Sequence, residues 1–278
     1  MKMSHLSKTA GTAFSGLGML TMLSAAQAQS VYTPASWVND PYSPNANYSL
    51  TGGNTTSPVY TDNGTATGSL WGYSPIGSTL SLVNPGDNLT LTGEFSLAGN
   101  VNNSNLQFRL GLLDQGSQST DTGWLGYLIA LPNVAGGPGL YERNNPNTGV
   151  FGSGTGSTTI SAGNTGFAGS VVAGSYDVSL SITLDSATSE TIAWNVAGIN
   201  GNTYSYTGSY LNSSLSTLGS ANFDTVGFLA GGSTFTSASA SDSVTLSDLQ
   251  VTYTPVPEPT TLGLLSLGVL GLMLRRRA

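Results

Sequence analysis

Between Gln29 and Pro255 the chain carries three glutamates, Glu94, Glu142 and Glu190, and two arginines, Arg109 and Arg143, but no Cys, His or Lys. That inventory removes most catalytic schemes. Without His or Cys there is no Ser-His-Asp triad and no thiolate nucleophile. Without Lys there is no Ser-Lys pair and no Schiff base. A zinc site would need an unusual all-oxygen ligand set. The stretch Gly152-Ser153-Gly154-Thr155-Gly156 lacks the lysine and following helix of a phosphate loop. Glycoside hydrolysis survives, because it needs only two carboxylates. Yet the three glutamates lie far apart in sequence, and the carboxylate nearest to any of them is Asp185, five residues before Glu190. No catalytic residue, metal site or cofactor is expected.

Three features are candidates for binding. Tyr204, Tyr206 and Tyr210 share one face of an expected strand. On an open sheet they would stack on sugar rings, and inside a sandwich they would fill the core. Arg143 sits in Leu140-Tyr141-Glu142-Arg143-Asn144, read as part of a Gly- and Asn-rich loop. There it would either hydrogen-bond a ligand or tie the loop through Glu142. Asp62-Asn63-Gly64, and Asp114 with Asp121, offer carboxylate oxygens, but neither has the spacing of a known calcium loop. Turn chemistry accounts for Asp-Asn-Gly without a metal.

These residues must be positioned by strands. Period-2 alternation is clear in Leu89, Leu91, Gly93, Phe95 and Leu97, after the turn Asn84-Pro85-Gly86-Asp87. It recurs in Leu106, Phe108, Leu110 and Leu112, and in Tyr176, Val178, Leu180, Ile182 and Leu184. Ile192, Trp194 and Val196 continue it, then Val226, Phe228 and Ala230, then Val244, Leu246, Leu249, Val251 and Tyr253. The parity slips between Leu246 and Leu249, which predicts a bulge. Residues 124–131 are almost wholly apolar, the pattern of a strand covered on both faces. Residues 31–79 are rich in Pro, Gly, Asn, Ser and Thr and read as the first strands plus irregular loops, and residues 132–170 lapse into Gly, Asn, Ser and Thr and read as loop. The expected core includes Leu91, Phe95, Phe108, Leu110, Leu180, Ile182, Trp194, Phe228 and Val251. No helical periodicity appears in the body, so the fold class is all-β, an antiparallel β-sandwich of jelly-roll type over residues 29–254. With no disulfide, such a domain is held by core burial alone. Its acidic, Lys-free composition excludes nucleic-acid binding.

The two ends read as addresses. Lys2 and Lys8 precede an apolar stretch and the small residues Ala26-Gln27-Ala28, the pattern of a signal peptide over residues 1–28 cleaved after Ala28. At the other end Pro257-Glu258-Pro259 is followed by an apolar run, residues 261–274, and by Arg275, Arg276 and Arg277. A helix of that length spans about 21 Å, short of a bilayer core of roughly 30 Å. The arginines would stay on the cytoplasmic side. A transient membrane insertion of the precursor is therefore expected.

Those three parts in order, over residues 255–278, resemble the PEP-CTERM sorting signal of bacteria. The resemblance implies processing by an exosortase-type membrane protease and export to the cell surface or extracellular matrix of a bacterium that makes exopolysaccharide. In the body, Phe223-Asp224-Thr225-Val226-Gly227-Phe228-Leu229-Ala230-Gly231-Gly232 with Val244-Thr245-Leu246-Ser247-Asp248-Leu249-Gln250-Val251 resembles the last strands of laminin-G-like or concanavalin-like jelly rolls. Enzymes on that fold usually cluster their acidic residues on one strand, a cluster this sequence does not show. The expected function is a secreted, non-enzymatic surface protein associated with exopolysaccharide. The alternatives are a lectin-like module, with or without calcium, and a polysaccharide hydrolase or lyase.

Overall fold

In the computed structural model two antiparallel sheets face each other across a core. The structure describes residues 28–39, 48–64, 70–102, 108–116, 123–131, 139–143, 157–160, 164–213, 215, 222–231, 234–236 and 239–257. The first sheet contains β1 (Ser30–Tyr32), β3 (Tyr48–Thr51), β4 (Val59–Asp62), β6 (Asn88–Ala98), β11 (Asn164–Ala168), β12 (Gly174–Ser186), β13 (Ser189–Gly198), β14 (Ser205–Asn212) and β16 (Ser243–Thr254). Its order is β11-β14-β13-β12-β6-β16-β4-β3, and β1 pairs with a second stretch of β16. The second sheet contains β2 (Val38–Asn39), β5 (Leu70–Ser81), β7 (Phe108–Asp114), β8 (Leu125–Ala130), β9 (Leu140–Arg143), β10 (Ser157–Ile160) and β15 (Asn222–Ala230). Its order is β10-β9-β8-β7-β15-β5-β2. This is the expected antiparallel sandwich of jelly-roll type.

Alternation places the core. All nine expected core residues are buried, Leu91, Leu180, Ile182, Phe228 and Val251 with no exposed surface. Phe95 stacks on Phe108 at 4.4 Å and on Tyr176 at 4.9 Å, so rings from both sheets meet in the middle. Burying a side chain of this size contributes about 1.5–3 kcal/mol. The expected bulge is present. The β16–β6 register shifts between Ser247 and Gln250, with Asp248 at φ 52°. Gly93 lies opposite, where a Cβ would come within 2.7 Å of the Leu249 Cα. Only glycine lets the bulged strand approach so closely.

β8 is covered on both faces, as its composition predicts. Tyr127 and Ile129 join the main core. Leu128 joins Trp71, Leu113, Trp124 and Leu229 in a smaller cluster on the other side of the sheet.

Two strands lie where the sequence shows no clear alternation. Leu70–Ser81 is a 12-residue strand next to β15 despite Pro75. The proline is tolerated because β2 pairs only with Gly72 and Tyr73, leaving Pro75 on an open edge beside an irregular register. Leu140–Arg143 is β9, paired to β8 and β10. Too short to show a period, it could not be told from a loop by pattern.

Candidate functional site

β9 carries the main surprise of the interior. Leu140 and Glu142 point into the sandwich, since Leu140 belongs to the core cluster. Across the core, Glu190, the second residue of β13, lies on the same face as Ile192, Trp194 and Val196. Strand pairing sets Tyr127 beside Glu142 and Asn212 beside Glu190. The Asn212 amide nitrogen donates to the Tyr127 hydroxyl at 2.7 Å and to the Glu142 Oε1 at 2.8 Å, linking the sheets. All four residues are buried. The two glutamates that sequence separation kept apart are thus neighbours in space, and the expected absence of a carboxylate pair is corrected. The signal was there only as parity: each glutamate occupies an apolar row of its strand.

Burial raises the pKa of both acids. Glu142 is raised by burial, against the Asn212 hydrogen bond. Glu190 is pushed up to about 8 by burial first, with further rises from Glu142 and Asp185. The Tyr127 hydroxyl offsets part of that rise, although neither Glu190 oxygen meets hydrogen-bond geometry.

A second buried acid does the opposite. The Asp87 Oδ2 accepts from the backbone N–H groups of Val83 and Asn84, both at 2.8 Å. Its Oδ1 accepts from the Val256 N–H at 2.7 Å. The Tyr253 hydroxyl, 3.0 Å from the Ser81 carbonyl, lies 3.3 Å from the carboxylate. Burial alone would raise the Asp87 pKa, but donors from Asn84, Val256, Val83 and Tyr253 outweigh it and hold the group below the usual range. Val256 also rests on Gly86, where a Cβ would meet its methyl at 2.7 Å. The turn read at Asn84-Pro85-Gly86-Asp87 is therefore a clasp. It holds the chain as it leaves β16, one residue before Pro257.

The structure settles the positions of the other candidates. Tyr204 and Tyr206 are buried core residues, and Tyr210 is half-buried on the same row, so the row faces the interior and presents no open stacking surface. Arg143 is buried on β9 rather than in a loop, on the parity opposite Glu142. Arg109 shares that outer parity, with its guanidinium 3.9 Å over the Tyr141 ring. Asp62 accepts from the Gly64 N–H at 2.7 Å, with Gly64 at φ 76°, as a turn requires. Asp114 ends β7 and Asp121 lies outside the described residues. An open depression of about 320 Å³ is lined by residues that include Pro75, Ser78, Gln115 and Asp224. Asp224 there already accepts from the N–H groups of Gln115 and Gly116. Among the described residues no group of three acids could hold a metal, and no helix is long and apolar enough to cross a membrane. Ala28 is exposed just before β1. Ala26, Glu258, Pro259, the apolar run and Arg275, Arg276 and Arg277 lie outside the described residues.

The two sheets define an antiparallel β-sandwich of jelly-roll type. Similar solved structures include basic winged bean lectin with Tn-antigen, at TM-score 0.44 and 10% identity over 81% of this chain and 98% of that one. The metal-free lectin I-B4 of Griffonia simplicifolia has TM-score 0.42 and 11% identity, covering 82% and 98%. A marine alginate lyase from Aplysia kurodai has TM-score 0.44 and 11% identity, covering 79% and 98%. No curated protein sequence matches the chain. Residues 255–277 match the PEP-CTERM protein-sorting motif. The chain therefore carries an export and cell-surface sorting signal, and that signal begins where β16 ends.

Proposed function

We propose that this protein is a non-catalytic surface component, processed at its C-terminus by an exosortase-type protease and associated with exopolysaccharide through its sandwich. The observation that carries the non-catalytic reading is the position of Glu142 and Glu190. A glycosidase places its two carboxylates on either side of a bound sugar. Here both are packed between the sheets with Ile192, Trp194 and Leu140, where no polymer fits. The clasp at Asp87 supports the sorting reading, because it hands the motif over directly from the folded body.

The test is incubation of the purified protein with a panel of neutral and acidic polysaccharides. Reducing ends and the ultraviolet absorbance of unsaturated ends report hydrolase and lyase activity. The expected result is no release above blank. Release that disappears in Glu142→Gln or Glu190→Gln would overturn the reading.

A further inference from the structure

We propose that Glu142 and Glu190 form a binding site for one calcium ion between the two sheets. The site rests on its own geometry and stands whether or not the protein is a surface adhesin.

Two carboxylates meet inside the sandwich without a cationic side chain. The body holds only Arg109 and Arg143 as basic residues, and strand parity turns both to the opposite side of the second sheet. Strand pairing and hydrogen bonds set Tyr127 and Asn212 beside the two acids, and the exposed Asp185 adds its charge from outside the core. The charged ones among these are acids. Burying one unpaired carboxylate is costly, and burying two side by side is costlier still.

Glu190 makes the case specific. It has no exposed surface, and neither of its oxygens makes a hydrogen bond. A fully buried carboxylate that faces a second carboxylate has the form of a ligand awaiting a cation. One divalent ion would cancel both charges. The donors at hand are oxygens, those of the two carboxylates and the Tyr127 hydroxyl, and a flip of the Asn212 amide, whose nitrogen now faces Glu142, would add its carbonyl oxygen. An all-oxygen set selects a hard cation rather than zinc or copper. Calcium accepts irregular oxygen coordination, whereas magnesium demands a near-octahedral shell and keeps its waters. An exported domain also meets calcium outside the cell. Bound there, the ion would clamp β9 to β13 at one end of the sandwich, where no disulfide exists to do so.

The experiment uses the full-length chain stripped with chelator and dialysed. Calcium is titrated while heat and tryptophan melting are read, and terbium is used as a luminescent probe excited through nearby tyrosine. The expected result is one calcium per chain, a melting temperature raised by about 5 °C or more, and terbium emission displaced by calcium. Glu190→Gln and Glu142→Gln should abolish all three, while Asp62→Asn should keep them. If Glu190→Gln does not fold, loss of the terbium signal in Tyr127→Phe still ties the ion to this cluster. Absence of saturable calcium binding up to about 10 mM, or binding untouched by Glu190→Gln, overturns the site and leaves the two acids sharing a proton.

Discussion

Asp87 and Glu190 are both fully buried, but three backbone N–H groups point at the first and none at the second. Depth is therefore not what separates them. At Asp87 the chain turns its own donors onto the carboxylate, so the charged form is the stable one. At Glu190 burial and a second acid outweigh the Tyr127 hydroxyl, so the charged form is the unstable one. The first acid organises backbone at the exit of the fold. The second has no backbone to organise, which makes it a candidate for holding something else. Function in this sandwich follows from which acids the backbone has already claimed.

The sharpest way to break the comparison is Asp87→Ala. It leaves the N–H groups of Val83, Asn84 and Val256 without their acceptor, at about 1–3 kcal/mol for each one that stays buried. A drop in melting temperature of about 10 °C is expected for a domain of this size. Limited proteolysis should then cut near Val256 before any other site. A variant that melts like the parent and keeps its C-terminal end protected would show that the clasp holds nothing.

The second effect is the opposite pH dependence of the two sites, measured in chelator. The Glu190 pKa is raised when folded, so its favourable contribution is complete below the unfolded value of about 4.3. It is lost as pH rises through about 8. The parent should lose roughly 2–4 kcal/mol across that window, and Glu190→Gln should remove most of the slope. The Asp87 pKa is lowered when folded, so its contribution is present above about 3.9 and is lost as pH falls through the folded value. Asp87→Asn should flatten only the acid limb. Identical pH profiles for the two variants would erase the distinction drawn between them.

The smallest effect belongs to a third acid on the strand that the clasp ends. Asp248 is held at φ 52° in the bulge opposite Gly93. Here the backbone conformation, rather than the carboxylate, is the constraint. Asp248→Gly should change stability by less than about 1 kcal/mol. A large loss would mean that its side chain matters as well.

Much of this frame is legible in the sequence, and the limits are physical. Leu89 to Leu97 and Tyr176 to Leu184 reveal their core face because alternation over many residues has one reading. The slip between Leu246 and Leu249 gives away the bulge for the same reason. β9 has four residues and no period to read, so the sequence pattern places Glu142 in a loop. Parity places Glu190 on the core face, but it does not say which residue of the opposite sheet it meets. The pair was therefore invisible until the two sheets were stacked. Asp87 is readable as a turn residue, but its grip on Val256 joins residues far apart in the chain, and local turn chemistry has no such reach. The tyrosine row shows the same limit: alternation gives its shared face, and the second sheet decides that this face fills the core.

The most direct test of the account is the intact mass of the protein extracted from the cell surface. The sandwich ends with β16, the clasp holds Val256, and the sorting motif follows. The predicted species begins at Gln29 and lacks residues 261–274, with uncut precursor accumulating when Pro257-Glu258-Pro259 is replaced. A surface-extracted chain that still ends at Ala278 would mean that the tail is only an anchor, and it would contradict the account.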